Sequence, residues 1–154
     1  MKNSTEDFLT STEEKEIIEA IQIAEKNTSG EIKVHLEATI KKFSEDDKFK
    51  RAFQRAQEVF QFLHIDNTKH SNGVLIYIAV EEHVLVILGD KGINNLVGDN
   101  FWEQTKDLIL THFKKGELKQ GLITGILNAG EQLKKHFPYL DNDTNELPDS
   151  ISIG

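Results

Sequence analysis

Ser71-Asn72-Gly73-Val74-Leu75-Ile76-Tyr77-Ile78-Ala79-Val80, then Glu81-Glu82, then His83-Val84-Leu85-Val86-Ile87-Leu88-Gly89-Asp90, is the stretch that decides the fold. Two runs rich in β-branched and aliphatic residues, bounded by Asn-Gly before and Gly-Asp after and parted by a short polar break, predict a β-hairpin. The first run is almost continuously apolar, which predicts a strand covered on both faces and central in its sheet.

Upstream, residues 31–39 alternate, with Ile32, Val34, Leu36 and Ala38 on one face and Lys33, His35 and Glu37 on the other. That pattern predicts a half-buried strand. Between it and the hairpin, Ser44 with Asp47 forms a helix-capping signal. A stripe of Phe49, Phe53, Ala56, Phe60 and Leu63 follows at the 3.6-residue period and is expected in the core. A strand, a helix and a strand of these lengths make a crossover unit, so the first two strands run parallel and the third returns antiparallel. Thr10 with Glu13, and Ser11 with Glu14, form overlapping capping boxes ahead of Ile17, Ile18, Ile21 and Ala24. Beyond Asp90 the Gly- and Asn-rich residues 91–99 read as a loop with room for one helical turn. Asp99 or Asn100 then caps a helix through Trp102, Leu108, Ile109 and Phe113, and Gly116 separates it from a last helix carrying Leu118, Leu122, Ile126 and Leu133.

The expected fold is α/β: a three-layer α/β/α sandwich in which a small mixed β-sheet of three or four strands is flanked by helices on both faces. Residues 1–9 are expected to be flexible, residues 10–137 to form a single domain, and residues 138–154, with Asp141, Asp143, Glu146 and Asp149, to form a flexible acidic tail.

Composition narrows the function. The chain is 38% hydrophobic and 29% charged, with a formal net charge of -8. An acidic surface argues against the phosphate attraction on which nucleic-acid binding depends, so cations suit it better than polyanions. No cysteine is present, which excludes disulfides, thiolate zinc sites and cysteine nucleophiles. No run approaches the ~20 apolar residues of a membrane span, and the first residues lack a signal-peptide pattern; a cytoplasmic monomer is expected.

Strand direction gathers the polar punctuation. Glu31 enters the first strand, Asn72 enters the parallel second, and Asp90 leaves the antiparallel third, so all three lie at one end of the sheet; Asp99, opening the next helix, can fold back to it. Three carboxylates and a carboxamide suit a hard divalent cation, calcium or magnesium. Each also has a simpler role, as strand-edge residue, turn former or helix cap. Glu37, Glu81 and Glu82 fall at the opposite end and read as a solvated hairpin tip. The six histidines show no pair at metal-ligand spacing, and His70, though next to the proposed site, reads as a loop residue. Trp102 reads as core. There is no Gly-x-Ser-x-Gly elbow and no phosphate-cradling glycine loop.

The order of these pieces resembles the TPM domain, a family named for a thylakoid lumen protein, a photosystem II repair protein and an acetylcholine-receptor accessory protein. Ser29-Gly30-Glu31-Ile32-Lys33-Val34 looks like its Thr-Gly-Ala/Glu strand entry, followed by Asn72-Gly73-Val74-Leu75-Ile76, Val86-Ile87-Leu88-Gly89-Asp90 and the segment from Gly116-Glu117-Leu118 to Gly121-Leu122. The resemblance spans residues 9–137. The chain departs from the pattern after the third strand, where Gly89-Asp90-Lys91-Gly92-Ile93-Asn94 replaces a Gly-Tyr-Gly-Leu-Glu and Asn94 stands in place of an acid. The resemblance implies a cation site, and more distantly a metal-dependent acid phosphatase acting on phosphomonoesters. The alternative without catalysis is a module in which the cation rigidifies a loop and a protein partner docks.

Overall fold

The hairpin and the crossover are both present in the computed structural model, which describes residues 8–40, 47–98, 100–139 and 149–153. The elements are α1 (Ser11–Lys26), β1 (Glu31–Glu37), α2 (Lys48–Phe62), β2 (Gly73–Ala79), β3 (Val84–Gly89), α3 (Lys91–Asn94), α4 (Glu103–Phe113), α5 (Leu118–Lys134) and β4 (Ser152–Ile153). The four strands form an open mixed sheet in the order β3-β2-β1-β4. β1 runs parallel to β2 with Glu31 opposite Gly73 and Glu37 opposite Ala79, and β3 returns antiparallel with Gly89 opposite Val74. Every residue of β2 is buried, as its unbroken apolar run requires.

Helices cover both faces. Ile32, Val34, Leu36, Val74, Ile76, Ile78 and Ile87 turn toward α1, α4 and α5, where they meet Ile17, Ile21, Ile109, Leu122, Ile126 and Leu133. Leu75, Tyr77, Ala79 and Val84 point the other way, onto Ala52, Ala56 and Val59 of α2. The Thr10–Glu13 capping box forms as its spacing predicts, with Thr10 N donating to Glu13 at 2.9 Å and Glu13 N to Thr10 Oγ1 at 3.1 Å. Trp102 is in the core.

Several expectations are corrected. Phe49 and Phe53, assigned to the core by helical period, are 65% and 47% exposed. The face of α2 that meets the sheet is instead the small-residue stripe Ala52, Ala56 and Val59, which lets the helix lie close and turns the phenylalanines onto its flank. The polar side of β1 is not solvated: all seven residues of the strand are buried. Asp47 is itself the N-cap of α2, accepting from the backbone N–H groups of Phe49 and Lys50, and Ser44 lies outside the described residues. The fourth helix begins at Glu103 behind Trp102 without a side-chain cap, and Asp99 also lies outside the described residues.

The acidic segment was expected to carry no ordered structure. Its described ends dock instead. Pro138 bridges to Thr28, and β4 adds to β1 in parallel, with Ser152 opposite His35 and Ile153 opposite Leu36. Composition concealed this because the docking uses few residues: Ile151 and Ile153 pack against the core, and Lys33 Nζ donates to Ser150 O at 2.7 Å.

Candidate functional site

The backbone brings three of the four sequence-predicted residues to one sheet end. Glu31 N donates to Asn72 O at 3.3 Å, and Asp90 N donates to Gly73 O at 2.9 Å, so Glu31, Asn72 and Asp90 sit on adjacent strand termini. The loop before β2 is pinned to α3: Ser71, at φ 51, bends the chain so that its carbonyl accepts from Gly92 N at 2.8 Å. That approach requires a glycine, because a Cβ at position 92 would lie 2.4 Å from His70 O and 2.5 Å from Ser71 O.

The side chains differ in how far they are satisfied. Asn72 is fully buried, and its Nδ2 donates to Ser29 Oγ at 3.3 Å. Asp90 is 7% exposed and N-caps α3 through Oδ1, which accepts from Lys91 N at 2.8 Å. Its Oδ2 is buried without a hydrogen-bond partner among the described residues. Glu31 is buried, and its charge reaches Glu25 on α1. Burial pushes the Glu25 carboxyl up to about 10, reinforced by a hydrogen bond with Asp149 and by the charges of Glu31 and Asp149, against a backbone hydrogen bond from Ile32. Among the described residues no three His, Asp or Glu side chains gather into a metal-holding group, and Asp99 is not among those residues.

At the opposite end Glu37 is not a solvated tip residue but the centre of a buried network that the sequence reading missed. Arg55 donates to Glu37 Oε1 from Nε at 2.8 Å and from Nη2 at 2.5 Å, and Tyr77 Oη donates to Oε2 at 2.5 Å. His35 stacks on Tyr77, with Nε2 3.2 Å from Glu37 Oε1 but not aligned for a hydrogen bond. Burial alone would raise the Glu37 carboxyl; the contacts from His35, Arg55 and Tyr77 and the Arg55 charge outweigh it and hold the group at about 2. Burial raises Tyr77, and its hydrogen bond to Glu37 adds to that. One signal could have found the network: Arg55 falls between Ala52 and Ala56 on the buried stripe of α2, where a lone cation needs a buried acid.

An open mixed sheet with helices on both faces defines an α/β domain. The family model of the TPM domain matches residues 3–132, and the chain belongs to that family. The NMR structure of BA42 protein from the psychrophilic bacterium Bizionia argentinensis is similar at 54% identity, over 98% of this chain and 99% of that one, with a TM-score of 0.84. Two more distant solution structures share the fold. The N-terminal domain of a protein from P. gingivalis has 16% identity over 88% of this chain and 83% of that one, TM-score 0.63. The N-terminal domain of cg2496 protein from Corynebacterium glutamicum has 13% identity over 93% and 79%, TM-score 0.54. No curated protein matches the chain.

Proposed function

We propose that this TPM-domain protein binds a divalent cation, calcium or magnesium, at the sheet end carrying Glu31, Asn72 and Asp90, with Asp99, which lies outside the described residues, as the further candidate ligand. The reading rests on Asp90: a carboxylate oxygen buried without a partner among the described residues costs free energy that a bound cation would recover. The donors at this end are oxygens, which fits a hard cation, and a site assembled from separate loops favours micromolar or weaker affinity. Phosphatase activity is expected to be weak or absent. Arg55 is held by Glu37 and Glu58, and a transferring phosphoryl group needs cationic complements that a metal alone supplies poorly.

A calcium titration followed residue by residue in solution tests the site. Shifts at Glu31, residues 71–73 and residues 89–92, abolished by Asp90→Asn, are expected. Shifts confined to Glu37, Glu81 and Glu82 would move the site to the other end of the sheet. At a hundredfold excess over the dissociation constant, the cation should stabilise the fold by about 2.7 kcal/mol. Hydrolysis of a phosphomonoester at ~10 per second, lost in Asp90→Asn, would make the protein an enzyme instead.

A further inference from the structure

β1 is an inner strand only by virtue of β4. Glu31 N–H faces β2, so alternation along the strand turns the main-chain groups of Ile32, Val34 and Leu36 to the opposite edge. Glu25 Oε2 accepts from Ile32 N at 2.8 Å and covers the first of these N–H groups. The segment at residues 149–153 lies along the rest, in the register that sets Ser152 opposite His35 and Ile153 opposite Leu36. Each of its residues meets a receptor of its own. Asp149 hydrogen-bonds with Glu25 and feels the Lys33 charge, the Ser150 carbonyl accepts from Lys33 Nζ at 2.7 Å, and Ser152 Oγ lies 2.8 Å from His35 Nδ1. Ile151 and Ile153 pack against the core cluster that also holds Ile32, Val34 and Leu36.

We propose that this edge of β1 is a strand-docking site for an extended segment of a partner protein with the pattern acid, serine, aliphatic, serine, aliphatic, and that residues 149–153 are its detachable occupant in cis. Three observations carry the proposal. The occupant shows what the edge reads: main-chain pairing gives affinity and alternate side chains give selectivity, which is how sheet edges recognise peptides. Its hold is slight. The ladder runs over two residues against the seven of β1, and Ile151 and Ile153 are only half-buried, so the segment opens at a small fraction of the cost of opening the sheet. Its polar contacts are to Lys33 and His35, side chains that water can serve in its absence, and exchangeable interfaces are the more polar ones. A second copy of the chain is the poorer occupant, because it carries the same net charge of -8 and its own segment is already tethered beside its own edge.

The probe is a blocked peptide with the sequence of residues 148–154, Pro-Asp-Ser-Ile-Ser-Ile-Gly. It is added to the isotope-labelled full chain and to the full chain carrying Ile151→Ser with Ile153→Ser, each in EDTA and again in calcium, so that a failure here leaves the cation titration standing on its own. In the double variant the peptide is expected to bind and to return the amides of residues 33–36 to their wild-type positions. In the wild type, where the tethered segment competes, the dissociation constant is expected to be about tenfold higher or more. A peptide with Lys in place of Asp should bind more weakly. A melting curve verifies that the variant folds, and hydrogen exchange of the unaltered chain supplies a measurement that does not depend on it: the Leu36 amide should exchange about tenfold or more faster than the Ile76 amide of β2. No binding to the variant at millimolar peptide, shifts away from β1, equal affinity for variant and wild type, or a Leu36 amide as slow as that of Ile76 would overturn the proposal. So would sedimentation showing a wild-type dimer that the peptide dissolves, since a second copy would then be the occupant.

Discussion

Replacing Arg55 with methionine keeps most of the side-chain stem and removes the guanidinium that donates to Glu37. The side chains of Arg55 and Glu37 are 9% and 2% exposed, so the carboxylate left behind cannot recover its hydration. Removing one partner of a buried pair typically costs about 3–5 kcal/mol, which for a chain of this size corresponds to a drop in Tm of ~10–20 °C. Exchanging both partners for apolar residues, Arg55→Met with Glu37→Leu, should recover most of that loss because no charge is then stranded. The pH dependence supplies a second reading. The folded-state value of Glu37 lies below its ordinary 4.5, so its contribution is present above that pH and is lost as pH falls toward about 2. At about 1.4 kcal/mol per pH unit this amounts to about 3 kcal/mol on the acid limb, which Glu37→Gln should remove. Thermal and urea unfolding between pH 2 and pH 7 measure both effects. A single Arg55→Met cost below about 1 kcal/mol, with the wild-type acid limb flat, would refute the reasoning, since it would place the pair in water.

Two further perturbations test the packing. Gly125→Ala puts a Cβ 2.3 Å from Ile109 Cγ1 on α4, and Ile109 is itself buried, so a loss of about 1–3 kcal/mol in urea unfolding is expected; an unchanged midpoint would mean the two helices can part without cost. Deleting residues 149–154 removes the pairing to His35 and Leu36, the half-buried Ile151 and Ile153, and the Ser150 carbonyl that Lys33 holds. A loss of about 2 kcal/mol is expected, and a deletion without effect on Tm would show that the docked segment adds nothing to stability.

The hairpin, the parallel crossover and the polar sheet end were legible because each rests on local chemistry that tertiary context does not override: a period-two apolar run, turn residues at its ends, and the direction each strand must take. What misled was amphipathicity. The phenylalanines of α2 gave the strongest apolar stripe on that helix, yet close packing on the sheet selected Ala52, Ala56 and Val59, because the helix axis approaches more closely over small side chains. The alternation of Lys33, His35 and Glu37 looked like a solvated face for a similar reason. A charged residue in a strand signals water only when no partner waits on the neighbouring layer, and Arg55, Tyr77 and the segment at residues 149–153 lie far away in sequence.

The buried carboxylates of Glu37 and Asp90, at opposite ends of the sheet, differ in how far their oxygens are satisfied. Glu37 accepts from Arg55 and Tyr77 with both of its oxygens and so ties α2 to β1 and β2. Asp90 uses one oxygen to cap α3, and its other oxygen is buried without a partner among the described residues. Proteins rarely leave a buried acceptor in that condition unless a bound ion or an ordered water completes it. By charge and donor chemistry, Asp90 is therefore the group around which the cation proposal stands or falls.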